Sequence, residues 1–154
     1  MAITTLNSAS SLFEGSDSAE IINVNSGAGS RSTVNAAGGN DTIQLLGPTN
    51  NATALYVDAN ANADFISFTG TYVDTTLIGG AGSDTYKLSR GHDVVRGFEV
   101  GVDIIQAPDI PELSQQGRHV LLSYPGGTTL LRKTALDDVA VWLTPEAGGL
   151  ELLA

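Results

Sequence analysis

Residues 79–87 read GGAGSDTYK, with glycine at the first, second and fourth places (Gly79, Gly80, Gly82), aspartate at the sixth (Asp84) and a large hydrophobe at the eighth (Tyr86). An ordinary surface loop has no reason to keep that order. Weaker copies lie on both sides, each with an acid two residues before a hydrophobe: SAEII (Glu20, Ile22), AAGGNDTI (Asp41, Ile43), ANANADFI (Asp64, Ile66) and VGVDII (Asp103, Ile105). Successive acids are 21, 23, 20 and 19 residues apart. A second hydrophobic series, Val34, Leu55, Leu77 and Val95, falls between them, so a hydrophobe recurs every nine to twelve residues.

Around these positions, pieces such as DTIQL and DFISF alternate polar and apolar residues and are rich in Thr, Ile, Val, Tyr and Phe, which suits strands with one buried face. Gly, Asn, Ala and Ser fill the intervals, with no helical period. Short strands alternating with tight turns can form an antiparallel meander or a parallel solenoid with two strands per coil. The solenoid is favoured because the acids recur at every second hydrophobic step. Residues about 20 apart then stack one strand spacing, roughly 4.8 Å, above one another.

Such stacking puts carboxylates in a ladder along one edge. Two charges about 5 Å apart repel by roughly 3 kcal/mol at an effective dielectric of 20 and by about 1 kcal/mol in water. Over several coils that is comparable with the 5–15 kcal/mol, roughly, that holds a domain together. A hard dication between rungs reverses the sign, and Ca²⁺ takes carboxylate and carbonyl oxygens in flexible geometry, whereas Mg²⁺ demands a strict octahedron. Zinc has little to bind, with two histidines far apart and no cysteine. Asp41, Asp64, Asp84 and Asp103 are therefore the candidate carboxylate ligands, strongest around Asp84. Gly39, Gly80, Gly82 and Asn62, just before them, are candidates to aim backbone carbonyls into the turn, because residues tolerant of positive φ allow it.

GGAGSDTYK matches, at every specified place, the nonapeptide G-G-x-G-x-D-x-U-x of the RTX (repeats-in-toxin) calcium-binding proteins. The following SRGHDVVRGFEVGVDII also resembles the stretch after the last RTX repeat, which adds Asp93 to the candidate metal residues. The resemblance covers residues 15–105 by pattern. It implies a right-handed parallel β-roll with calcium between its turns, and secretion by a type I apparatus. The copies depart from the pattern: Ala36 and Ala37 replace the first two glycines of one, Asn62 and alanines replace those of another, and Arg31 stands where an acid belongs in SGAGSRSTV. The coils are also longer than is usual in the family.

Residues 1–14 read as an N-terminal leader or cap, 15–107 as the roll, and 108–154 as a β-rich C-terminal cap. In the cap, RHVLLSY, TTLLRK and VAVWL read as strands, PGG (Pro125 to Gly127) as a hairpin turn, TALDDV as a short helical turn and Trp142 as a core residue. The closing ELLA, Glu151 to Ala154, looks like an export signal.

Seventeen acidic against seven basic residues give a net charge of −10, which argues against nucleic acid as a partner. No apolar run reaches membrane-span length, and MAITTLNSASS lacks the basic and apolar regions of a secretory leader. DANANAD, Asp58 to Asp64, begins like an EF-hand loop, but Ala63 and Thr69 replace the required Gly and Glu. Ser89, His92 and Asp93 lie together without a GxSxG elbow, and His92 reads as a turn residue. The expectation is an all-β, non-enzymatic, secreted, calcium-binding module. The alternative is an accessory module for an alginate-like polysaccharide, against which Arg31, Arg90, Arg96, Arg118, Arg132 and Lys133 are thinly spread along the chain.

Overall fold

The computed structural model describes residues 1–6, 12–25, 31–46, 54–68, 72–88, 90–135, 142–143 and 150–151. Its elements are β1 (Ala2–Leu6), β2 (Leu12–Glu14), β3 (Glu20–Asn25), β4 (Ser32–Asn35), β5 (Thr42–Leu46), β6 (Ala54–Asp58), β7 (Phe65–Phe68), β8 (Tyr72–Ile78), β9 (Thr85–Lys87), β10 (Gly91–Arg96) and β11 (Ile104–Gln106). The tail adds β12 (Glu112–Gln116), β13 (His119–Tyr124), β14 (Gly127–Leu131), β15 (Trp142–Leu143) and β16 (Leu150–Glu151). No helix occurs among the described residues, so none is long and apolar enough to cross a membrane.

Odd-numbered strands build a six-stranded sheet in the order β1-β3-β5-β7-β9-β11, and the even-numbered strands β2 to β10 line up in a second sheet. Neighbours in both runs are parallel. The chain therefore crosses between sheets at every turn, which is a parallel β-solenoid with two strands per coil, as the acid period requires. β1 pairs with β3 and β2 with β4, so both sheets continue through residue 15 without a break.

The core lies between the sheets. In the six-stranded sheet Ile22, Ile43, Ile66, Tyr86 and Ile105 stand in one register row. In the other, Val34, Val57, Leu77, Val95 and Leu131 do the same. All ten are buried. Each aliphatic member contributes roughly 1.5–3 kcal/mol by leaving water. Leu55 sits one pleat away, in the row of Ser32, Thr75, Asp93 and Thr129, so Val57 occupies the place that the sequence spacing gave to Leu55. Residues two apart in a strand share a face, so both valid choices are buried and the spacing alone does not separate them.

β12, β13 and β14 form an antiparallel meander whose last strand joins β10 in parallel, giving the eight-stranded sheet its final order, β12-β13-β14-β10-β8-β6-β4-β2. Pro125 and Gly126, the latter at φ 91, turn β13 into β14. At the far end, among the described residues, Met1, Ile3 and Leu12 are exposed. The helical turn expected in TALDDV falls mostly on residues outside those described, as do the side chain of Trp142 and the last three residues of ELLA.

Candidate functional site

The acid-bearing turns lie along the edge where the chain passes from the eight-stranded sheet to the six-stranded one. Three of them repeat one backbone conformation. Ala37, Asn60 and Gly80, each four residues before an aspartate, have φ of 72, 73 and 104; Gly39, Asn62 and Gly82, two residues before it, have 105, 84 and 137. The turn stacks so tightly that a Cβ on Gly80 or Gly82 would strike the carbonyl oxygen of Asn60 or Asn62 in the preceding coil. Asn60 and Asn62 can occupy these places because asparagine tolerates left-handed backbone. Ala37 and Asn60 escape a search for glycine; the only signal for them is their position, four residues before the acid.

Neighbouring turns are joined by two sets of hydrogen bonds. The backbone N–H of each acid donates to a carboxylate one coil later: Glu20 to Asp41 Oδ1 at 2.9 Å, Asp41 to Asp64 Oδ1 at 2.7 Å, Asp64 to Asp84 Oδ1 at 3.0 Å, and Asp84 to Asp103 Oδ1 at 3.0 Å. The backbone carbonyls of Asp41, Asp64 and Asp84 accept the N–H groups of Phe65, Thr85 and Ile104, each at 2.8 Å. At the turn tips Ala81 donates to Asn60 and accepts from Asn62. Each aspartate thus substitutes a side-chain oxygen for a strand carbonyl and staples one coil to the one before it.

The second carboxylate oxygens divide the ladder. Oδ2 of Asp41, Asp64 and Asp84 is buried without a hydrogen-bond partner among the described residues. Oδ2 of Asp103 accepts the N–H of Glu99 at 2.8 Å. At the other end, both carboxylate oxygens of Glu20 accept from Ser16, one from its N–H and one from its hydroxyl. Terminal rungs are satisfied by their own turns, and the three interior ones are not.

Burial accordingly pushes the interior carboxyls up, Asp64 to about 7 and Asp84 to about 6, against the hydrogen bond from the preceding rung and with help from neighbouring acids. Asp41 and Asp103 are raised for the same leading reason, burial. Tyr86 lies beside Asp84, and its hydroxyl accepts the N–H of Gly79 at 2.8 Å. Burial is also the main cause that raises the Tyr86 phenol. A Cβ on Gly79 would collide with both Asp84 Oδ2 and the Tyr86 hydroxyl, so glycine leaves the only room for the carboxylate.

These residues fit a hard cation in one respect: three successive anionic oxygens are buried and free of donors. Among the described residues no three His, Cys, Asp or Glu side chains come together as a metal cluster. A cation here would have to draw its remaining ligands from backbone carbonyls or water, the part expected of Gly39, Asn62, Gly80 and Gly82.

No protein-family model and no curated protein matches the sequence. Among solved structures, the crystal structure of extracellular lipase LipA from Serratia marcescens aligns with 86% of this chain at 11% identity, with a TM-score of 0.37. The aligned part makes up 39% of the lipase chain.

Asp93 does not join the ladder. It sits within β10 on the same face as Val95, buried, with its carboxylate accepting the hydroxyl of Thr75 across the strand pair. Strand alternation explains this: two residues before a core valine is a core position, not a turn position. His92, expected in a turn, is on the opposite face of the same strand, with Nδ1 2.8 Å from the Thr128 hydroxyl. Ser89 is outside the described residues.

Proposed function

We propose that the chain is a non-enzymatic, secreted β-roll module whose folding is coupled to calcium. The observation that carries this reading is the run of three buried, donor-free Oδ2 atoms on Asp41, Asp64 and Asp84 beside turns of one repeated conformation. When bound, Ca²⁺ supplies positive charge that offsets the burial of these carboxylates. Asp41, Asp64 and Asp84 would hold it through Oδ2 while Oδ1 keeps each coil stapled to its neighbour. The turn residues Gly39, Asn62, Gly80 and Gly82 would give it carbonyl oxygens.

The physical consequence is linkage between metal and fold. The ladder exists only when successive coils are stacked, so the unfolded chain offers no comparable site, and binding free energy becomes folding free energy. In low calcium the ladder's buried charge opposes stacking; in millimolar calcium, outside a cell, it ceases to do so. Secretion by a type I apparatus agrees with this order of events. Titration of the metal-free protein with calcium, followed by circular dichroism and calorimetry, tests the proposal, with magnesium as the comparison ion. Equal responses to the two ions would remove the argument for calcium.

A further inference from the structure

Four of the chain's seven basic residues end up together. Arg96 closes β10, Arg132 follows β14, and these strands are parallel neighbours, with the N–H of Arg132 donating to the carbonyl of Val95 at 3.0 Å. Arg96, Phe98, Arg132 and Lys133 line a recess of about 410 Å³. Arg118 and Lys133, with Gln115 and Thr134, line a second of about 530 Å³. Lys133 belongs to both, so the two adjoin, and among the described residues neither lining contains a carboxylate.

The surroundings hold this arrangement in place. Lys133 is at φ 60, and its N–H donates to His119 Nδ1 at 2.9 Å. Gln115 Nε2 donates to the carbonyls of Gly117 and His119, both at 2.9 Å, fixing the turn that carries Arg118. Phe98 packs against Tyr86 with ring centroids 6.4 Å apart. In a chain of net charge −10, four cations around two adjoining recesses are a local concentration of positive charge.

We infer that the two recesses form one binding groove for a linear acidic polysaccharide, whose carboxylate groups pair with Arg96, Arg118, Arg132 and Lys133. Two adjoining recesses with cations in each suit anionic groups spaced along a chain better than a single small anion. Arginine provides forked donors that match carboxylates. Phe98 gives the C–H face of a sugar an apolar surface. Nucleic acid is disfavoured because Phe98 is the one aromatic among the described residues of the two linings, which gives no row of rings for stacking bases.

The test is isothermal titration of the folded full chain with hexagalacturonate, too short to gel, in sodium chloride with and without calcium, circular dichroism confirming the fold in each buffer. Maltohexaose and a short single-stranded DNA are the comparison ligands. Binding of hexagalacturonate that weakens as salt rises, absent for maltohexaose and weaker for DNA, is expected. The R96Q/R132Q double variant should bind about tenfold more weakly or worse, since charged hydrogen bonds of this kind are worth more than one such factor. R31Q, just before β4 and outside both linings, should bind as the parent does. No binding, equal binding of the neutral sugar, tighter binding of DNA, or equal losses in R31Q and R96Q/R132Q would each overturn the inference.

Discussion

Asp84 and Asp103 occupy the same place in successive turns, are both buried, and both accept the backbone N–H of the preceding rung at 3.0 Å. They differ in one atom. Oδ2 of Asp103 receives the N–H of Glu99, while Oδ2 of Asp84, like that of Asp41 and Asp64, receives nothing. The difference separates two jobs that a repeated aspartate can do. Oδ1 is a structural staple in each of the four aspartate rungs; Oδ2 is closed off at Asp103 and left for a ligand at Asp41, Asp64 and Asp84.

The sharpest way to break the comparison is to break the stacking that both kinds of rung need. Gly80→Val puts a branched side chain at φ 104 against the Asn60 carbonyl, combining backbone strain with overlap. It should cost about 3 kcal/mol or more, read by denaturant melts with and without calcium. Asp103→Ala should come next. It leaves the N–H groups of Asp84 and Glu99 without acceptors, for a loss of roughly 2–4 kcal/mol that calcium does not restore.

Asp64→Asn separates the two jobs within one residue. The amide oxygen can still accept from Asp41, so at pH 8 without calcium the stability should change by about 1 kcal/mol or less, since a buried charge is exchanged for a buried amide. The calcium response should shrink sharply in the same variant. An interior rung with the large calcium-independent loss of Asp103→Ala would erase the distinction.

Protons give a gentler probe. Asp64 and Asp84 are raised to about 7 and about 6 from the ordinary carboxylate value near 4. Between about pH 4 and pH 7 the folded metal-free protein holds protons that the unfolded chain has released. Stability should therefore be fully present below about pH 4 and decline as pH rises through 6 and 7. Calcium should flatten that decline, because the metal competes for the same oxygens. Melting temperatures across this range check both statements. Tyr86→Phe, which removes the acceptor for the Gly79 N–H, should cost about 1–3 kcal/mol regardless of metal.

Much of the fold was legible because a coil period is a property of one dimension: acids 19 to 23 residues apart can stack only if every second strand returns to the same sheet. The turn conformation was legible where glycine announced it, at Gly80 and Gly82, and hidden at Ala37 and Asn60, where other residues adopt the same φ. Asp93, a candidate metal residue from its RTX-like context, lies within β10 at a position that strand alternation turns inward. The division between Oδ1 and Oδ2 had no signal at all. It depends on whether a neighbouring N–H reaches the second oxygen, as Glu99 does for Asp103. The basic groove was equally hidden, since Arg96 and Arg132 meet only because β14 returns parallel to β10.

The most direct test of the central claim is the melting temperature of the parent protein and of Asp64→Asn at pH 8, measured in chelator and in millimolar calcium. Calcium should raise it strongly in the parent and much less in the variant. An unchanged melting temperature and strand signal in the parent would contradict the assignment of the interior aspartates to calcium.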